Sequence, residues 1–196
     1  MTSPSPTLAV VSGGPGTGKT TLAHALAHEL GCPAIIRDEI KQGLVMATPG
    51  YRSGGDDPLN LPTRDAFFGV LRTLLRAGVT VVAEAAFQDH VWRPNLEPLA
   101  DLAQIRVVRC TTPAAVAHDR IVQRVRQNVH RTAHADHDLL EAIAAGEHSL
   151  ESFVPISLHV PTLTVDTRDG YLPSIHDIAS FITGAPAPDG SPDGTG

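Results

Sequence analysis

The sequence predicts an α/β domain with a five-stranded parallel sheet flanked by helices on both faces. Two observations predict it. Short apolar runs at residues 8–11, 34–36, 79–83, 105–109 and 162–165 have the length and continuous hydrophobicity of buried parallel strands. Segments of helical periodicity alternate with them, which is the βαβ pattern. Between the first strand and the first helix lies Gly13-Gly14-Pro15-Gly16-Thr17-Gly18-Lys19-Thr20, which fits G-x-x-x-x-G-K-[ST] at every fixed position.

The elements follow in order. After strand one, residues 21–30 form an amphipathic helix with Leu22, Ala25, Leu26, Ala27 and Leu30 on roughly one face. Gly31 and Pro33 turn the chain into the second strand, and Asp38 is placed to cap a short helix from 39 to about 46. Residues 48–62 are rich in Gly, Pro, Ser and Asp and read as a long loop, a common form for lids and binding elements. Phe67, Val70, Leu71, Leu74 and Leu75 then recur at helical spacing, giving a helix over 62–77 that Gly78 ends. The third strand runs into Glu84, and helices are expected over 92–103, after the Thr112-Pro113 cap, over 138–147 and over 173–182. Residues 7–183 form the expected domain, with a lid near 120–150; residues 1–6 and the Pro/Gly-rich 184–196 are expected to be flexible ends.

Bulk properties narrow the function. The 196 residues suit one domain, and the formal charge of −6 supplies no basic field for nucleic acid or anionic membrane. Cys32 and Cys110 fit no metal or redox spacing, which implies buried thiols in a reducing compartment. No apolar run approaches the ~20 residues of a membrane span, and residues 1–6 lack the features of a signal peptide, so a cytoplasmic protein is expected. Lysine occurs only at Lys19 and Lys41 among 15 basic residues, which makes Lys41 stand out beside a lysine that the phosphate loop requires.

The glycine-rich loop predicts nucleoside triphosphate binding. Its glycines let the backbone wrap so that successive N–H groups point at phosphate oxygens near a helix N-terminus. Gly13, Gly14, Pro15, Gly16, Thr17, Gly18, Lys19, Thr20 and Thr21 make up the expected nucleotide-binding set. Lys19 would reach the β- and γ-phosphates of ATP or GTP, and the Thr20 hydroxyl would ligate Mg²⁺. Ligands of open α/β sheets sit at the carboxyl ends of the strands, so the polar residues just after each strand matter most. Strand two leads into Arg37-Asp38-Glu39-Ile40-Lys41, where Asp38 and Lys41 are one helical turn apart. Asp38 is the candidate general base for a hydroxyl acceptor, a role typically worth ~10²–10⁴ in rate, and helix capping is compatible with it. Glu84 would orient a magnesium-bound water or anchor substrate. Phe87 and Trp92 would wall a pocket or pack in the core, and Arg93 joins Lys41, Glu84, Phe87 and Trp92 in the expected substrate-binding set. In the helix after strand four, Arg120, Arg124 and Arg131 fall within about 60° of one another at ~100° per residue, while Arg126 points elsewhere. Such a row is either a solvated face or the clamp of a closing lid. His130, His134 and His137 have spacings compatible with a metal, but contacts of an ordinary lid explain them as well.

GGPGTGKTT, RDEIK and Arg120-x-x-x-Arg124 together make the chain resemble the small P-loop kinases that include chloramphenicol phosphotransferase, zeta toxins and polynucleotide kinase 5′-domains. Tunicamycin-resistance ATP-binding proteins are a looser likeness. The resemblance spans roughly residues 8–182 and implies a nucleotide-kinase-like fold with a lid. It implies that Asp38 activates the acceptor hydroxyl, that Arg120 and Arg124 hold ATP, and that Val165-Asp166-Thr167 passes the adenine. Two positions depart from the pattern: Lys41 stands where an arginine is common, and Glu84 replaces an aspartate. The reading is an ATP-dependent kinase for a hydroxyl of a small polar molecule such as an antibiotic, a nucleoside derivative or a sugar, with resistance or self-protection as one purpose. A nucleotide-dependent regulatory ATPase and a nucleic-acid 5′-hydroxyl kinase are the alternatives, the latter disfavoured by charge.

Overall fold

The computed structural model describes residues 5–51, 57–127, 136–146 and 149–184. Five strands, β1 (Thr7–Ser12), β2 (Ala34–Ile36), β3 (Val81–Glu84), β4 (Gln104–Thr111) and β5 (Thr162–Asp166), form one sheet in the order β2-β3-β1-β4-β5. Every pairing is parallel. Seven helices appear among the described residues: α1 (Lys19–Leu30), α2 (Arg37–Ala47), α3 (Asn60–Arg76), α4 (Asp89–Leu96), α5 (Ala114–Gln127), α6 (Asp136–Ala144) and α7 (Ile175–Thr183). The predicted fold class is the one observed.

Alternation along β1 divides the core in two. Leu8 and Val10 point to one face, where Phe67, Phe68 and Leu71 of α3 and Trp92 and Leu96 of α4 cover them. Ala9 and Val11 point to the other, under Leu22 and Leu26 of α1 and Ile178 and Ile182 of α7. From β1 the chain passes to β2 at one edge; from β3 it crosses to β4 on the far side of β1. The loops after β1 and β3 therefore diverge, which opens a crevice at their carboxyl ends.

Several boundaries differ from expectation for local reasons. Helix α2 begins directly after β2 with Ile36 at its cap position, so Asp38 lies inside the first turn instead of capping it. A carboxylate there still complements the positive end of the helix. Helix α4 starts earlier, at Asp89, and gives way at Leu96 to a 3-10 turn, Glu97–Leu99. Pro98 supplies no N–H to continue an α-helical ladder. The Thr112 hydroxyl is buried with no hydrogen-bond partner among the described residues, so the expected cap before α5 is not made. Helix α7 instead opens with a capping box between Ser174 and Asp177. Cys110 is buried as expected, but Cys32 is only partly so. The 184–196 tail beyond Gly184 lies outside the described residues. No helix among the described residues is long and apolar enough to cross a membrane.

Candidate active site

The phosphate loop sits at the mouth of the crevice, and its glycines are demanded by close backbone approach. Gly16 has φ 74°, and a Cβ there would collide with the backbone of Ala117 in α5. Gly13 has φ 151°, and its Cβ would lie 2.5 Å from the Cys110 carbonyl oxygen. Both positions exclude any other L-residue without rearrangement. Lys19 is 7 % exposed and its Nζ donates to the Gly14 carbonyl at 2.8 Å, while the Thr17 hydroxyl donates to the same oxygen at 2.8 Å. The ammonium is thus held inside the loop it serves. Thr20 donates its hydroxyl to Glu84 Oε2 at 2.9 Å, joining the start of α1 to the end of β3 across the crevice. Glu84 is 3 % exposed. A hydroxyl and a carboxylate on one spot are hard oxygen donors, the set that suits Mg²⁺. Burial pushes the neighbouring Cys110 thiol up to about 12, which leaves it an inert packing group.

Two cavities flank the loop. The larger, about 500 Å³, lies against Gly16, Gly18, Arg120, Gln123, Thr167 and Tyr171, with Arg124 and Thr21 also on its wall. Arg120 is anchored here: it donates to the Thr167 carbonyl at 2.6 Å, the Arg168 carbonyl at 3.2 Å and the Gly16 carbonyl at 3.4 Å. The Thr167 hydroxyl in turn donates to the Thr17 carbonyl at 2.8 Å. One guanidinium and one hydroxyl therefore fasten the phosphate loop to the turn after β5. Arg126 is exposed, as its helical position predicts.

The smaller cavity, about 170 Å³, lies on the β3 side, bounded by Pro15 of the loop, Ala86 and Gln88 after β3, Leu139 of α6, and Leu150 and Phe153. Phe153 and the Leu150 carbonyl come within 3.6 Å of where a Gly14 Cβ would stand. This returning segment is pinned to the end of β3: Val154 N–H donates to Gln88 Oε1 at 2.6 Å, and Ser157 N–H donates to Asp89 Oδ1 at 2.7 Å. The backbone bond from Ser157 outweighs the upward push of desolvation and, with the Ser157 hydroxyl, keeps the Asp89 carboxyl below its ordinary range.

At the end of β2 the structure assembles a polar network only half visible in the sequence. Arg37 donates to Asp38 Oδ1 at 2.9 Å and to Asn60 Oδ1 at 2.8 Å, and its guanidinium stands over the Phe87 ring, 5.8 Å from the centroid. Lys41, 6 % exposed, is the buried residue of α2; it pairs with Asp57 and donates to Asn60. Tyr51 donates to Asp57 Oδ2 at 2.7 Å. Burial raises the Asp57 carboxyl, but bonds from Lys41, Tyr51 and the Leu59 N–H outweigh it and hold the group low. Desolvation, with Asp57 beside it, pushes the Tyr51 phenol up to about 12. Arg37 thus touches both Asp38 and Phe87, and the chain neighbours of Phe87, Ala86 and Gln88, line the smaller cavity.

Two expected substrate residues land elsewhere. Trp92 has no solvent exposure and packs edge-on against Phe67, Phe68 and Phe87, so it is a core residue and not a pocket wall. Three aromatic neighbours on α3 and the β3 loop drew it inward. Arg93, on the next position of α4, is exposed and faces the Asp89 carboxylate. His130 and His134 lie outside the described residues, as does the side chain of His137; among the described residues no group of three or more potential ligands is placed to hold a metal ion. Arg37, Tyr51, Asp57, Asn60 and Gln88 were not singled out as site residues. Adjacency to Asp38 was a signal for Arg37, and Tyr51, Asp57 and Asn60 lie within the 48–62 loop that reads as a lid or binding element.

A family model described as an AAA domain matches residues 8–146. Uncharacterized proteins of Mycobacterium tuberculosis and Mycobacterium bovis are 31 % identical over 152 residues, covering 70 % of this chain and 29 % of theirs. The chain thus spans under a third of the length of these relatives. A crystal structure described as a candidate kinase of Chloroflexus aurantiacus superposes with a TM-score of 0.76 at 24 % identity, covering 94 % of this chain and 100 % of that one. An adenylyl-sulfate (APS) kinase of M. tuberculosis, solved with AMPPNP and APS, gives 0.58 at 18 % identity over 93 % and 98 %. A gluconokinase of Sinorhizobium meliloti gives 0.55 at 17 % over 92 % and 94 %. The fold is that of the small P-loop kinases.

Proposed function

Because this chain belongs to the AAA_33 family of AAA domains, we propose that it is an ATP-dependent phosphotransferase that moves the γ-phosphoryl group to a hydroxyl of a small polar molecule. One observation carries the reading: a single phosphate loop has a cavity on each side, about 500 Å³ toward β5 and about 170 Å³ toward β3. A simple hydrolase needs only the first. A phosphotransferase needs both, because two substrates must meet in line across the transferring group. The ATP analogue bound to the APS kinase of like fold supports ATP in the larger cavity. A cytoplasmic location, with its supply of ATP, goes with this reading, as does a resistance role where the acceptor is an antibiotic.

Each residue then has a task. Lys19 exchanges the Gly14 carbonyl for phosphate oxygens, and the loop amides receive the rest of the negative charge. The Thr20 hydroxyl and Glu84 carboxylate would hold Mg²⁺, which neutralises phosphate charge when bound with the nucleotide. Arg120 keeps the loop fixed against the turn after β5, and Arg124 lines the same cavity. Asp38, kept in place by Arg37, accepts the proton of the acceptor hydroxyl as that oxygen bonds to the γ-phosphorus and the bond to the β,γ-bridging oxygen breaks. ADP and a phosphate monoester leave.

Asp38→Asn tests this assignment. It keeps the shape and removes the base, so turnover of the phosphorylated acceptor should fall by ~10²–10⁴ while nucleotide affinity holds. Unchanged phosphotransfer would remove Asp38 from the mechanism. Steady ATP hydrolysis that no hydroxyl compound stimulates would favour a regulatory ATPase instead.

A further inference from the structure

We propose that Phe153 is a water-excluding residue of the active site, pressed onto the tip of the phosphate loop by a strap of residues 149–158. This rests on the phosphotransferase reading and adds to it the group that favours transfer to an alcohol over hydrolysis. Water outnumbers any dissolved alcohol, so a kinase whose phosphoryl group stands open to solvent consumes ATP without making product. In hydrolysis a water oxygen bonds to the γ-phosphorus, its proton passes to Asp38, and the bond to the β,γ-bridging oxygen breaks, giving ADP and inorganic phosphate. The groups that serve an alcohol serve water equally well. Access has to distinguish them.

The strap is built to hold one position. Ser149 caps a 3-10 turn, Leu150–Ser152, with its hydroxyl accepting from Glu151 N–H at 3.2 Å. The Ser152 hydroxyl closes the same turn on the Ser149 carbonyl at 2.7 Å. Phe153 follows at once in an extended conformation, φ −66° and ψ 119°, and Pro155 disfavours a helical Val154 before it. The chain then latches onto the residues after β3. Val154 N–H donates to Gln88 Oε1 at 2.6 Å, and the Val154 carbonyl accepts from Asp89 N–H at 3.2 Å. Asp89 Oδ1 accepts from Ser157 N–H at 2.7 Å and from the Ser157 hydroxyl at 3.0 Å. Beyond the latch, Ile156 and Leu158 pack against the core under α3 and α4.

What the strap carries is apolar, and it lands on the loop. Phe153 Cβ stands 3.6 Å, and its Cγ 3.9 Å, from where a Gly14 Cβ would be. Gly14 is also the residue whose carbonyl takes the Lys19 ammonium at 2.8 Å. Lys19 is the group that meets the β- and γ-phosphates. One glycine therefore separates the phenyl ring from the ammonium that marks the phosphates. Pro15, Leu150 and Phe153 share a wall of the cavity on the β3 side, the side from which the acceptor approaches. The Phe153 ring is only partly buried, so part of its apolar surface remains to displace water beside the loop.

The test is ADP release by the full chain with ATP and Mg²⁺ and no acceptor, read beside the dissociation constant of AMPPNP. Phe153→Ala should raise kcat for hydrolysis ~10-fold or more over wild type. Its AMPPNP affinity should stay within about twofold, which shows that the variant is folded and its loop intact. A merely structural Phe153 would lower rate and affinity together. Phe153→Leu keeps apolar bulk and should bring the rate back toward wild type. Asp89→Ala frees Ser157 and should raise hydrolysis as Phe153→Ala does. Asp89→Asn should stay near wild type, because its Oδ1 still accepts from the Ser157 N–H. A Phe153→Ala rate no higher than wild type overturns the water-excluding role, whatever the wild-type rate. A rise from Phe153→Ala with none from Asp89→Ala overturns the latch. Failure of the phosphotransferase reading has a separate sign: wild-type hydrolysis that no hydroxyl compound stimulates and no phosphorylated product.

Discussion

The two sides of the phosphate loop are built from different materials. On the nucleotide side the fastenings run to main-chain atoms: Arg120 to the carbonyls of Gly16, Thr167 and Arg168, and the Thr167 hydroxyl to the carbonyl of Thr17. At the end of β2, on the proposed acceptor side, they run mainly between side chains: Lys41 to Asp57, Tyr51 to Asp57, and Arg37 to Asp38 and Asn60, with the Leu59 N–H to Asp57 as a main-chain addition. A backbone carbonyl is present whatever residue carries it, so the first kind of site tolerates sequence change around a few fixed positions. The second kind changes with each substitution. A fold that keeps one phosphate donor and varies its acceptor would be divided this way.

The largest expected effect breaks the acceptor side alone. Lys41→Met leaves Asp57 buried without its cation, and removing one partner of a buried pair costs about 3–5 kcal/mol. Urea unfolding should show that loss. Joint replacement, Lys41→Met with Asp57→Leu, should recover most of it, since an apolar pair carries no desolvation penalty. If the single variant matches wild type, the pair is a surface contact and the contrast between the two sides weakens.

The next effect belongs to the nucleotide side. Arg120→Ala removes charge-assisted bonds worth about 1.5–3 kcal/mol, so KM for ATP should rise ~10–100-fold while the acceptor KM stays within about twofold. A lid clamp that engages only as charge develops on the γ-phosphoryl group would place the loss in kcat; the observed anchoring to carbonyls places it in nucleotide affinity. Arg126→Ala, on an exposed position of the same helix, is the control and should change neither constant. Equal behaviour of the two variants would mean that Arg120 is a solvated residue whose bonds carry no function.

This division also explains what could be read in advance. The sheet was legible because buried parallel strands leave continuous apolar runs, and all five fall within two residues of their expected limits. Gly13 to Thr20 was legible because close backbone approach fixes residue type at fixed spacing. The acceptor side was not. Lys41 attracted notice through the rarity of lysine and its place one turn from Asp38, but its partner Asp57 lies across a loop without periodicity. Leu150 and Phe153 reach Gly14 through a return of the chain that no local pattern encodes. Trp92 had two readings in the sequence, and the α3 aromatics that settled it become neighbours only in three dimensions.

The smallest effect sharpens the comparison through pH. The Asp57 carboxyl is held below its ordinary value of 3.8, so its contribution to folding is present above 3.8 and is lost as pH falls through the lower folded value. The Tyr51 phenol, raised from 10.0 to about 12, contributes with the opposite sign: its share is present below 10 and is lost as pH rises toward about 12. The network therefore has a plateau between these limits. The carbonyls that Arg120 engages do not titrate, so the nucleotide side should show no matching acid limb. Urea unfolding of wild type and Asp57→Asn at a series of pH values separates the cases. The stability gap between them should be constant from about pH 5 to 8 and narrow as pH drops below 3.8, because protonation makes wild type resemble the amide. The gap between wild type and Arg120→Ala should stay level over the same acid range. A gap at Asp57 that ignores pH would show that its carboxylate charge contributes nothing, and that Lys41 is held by packing and Asn60 alone.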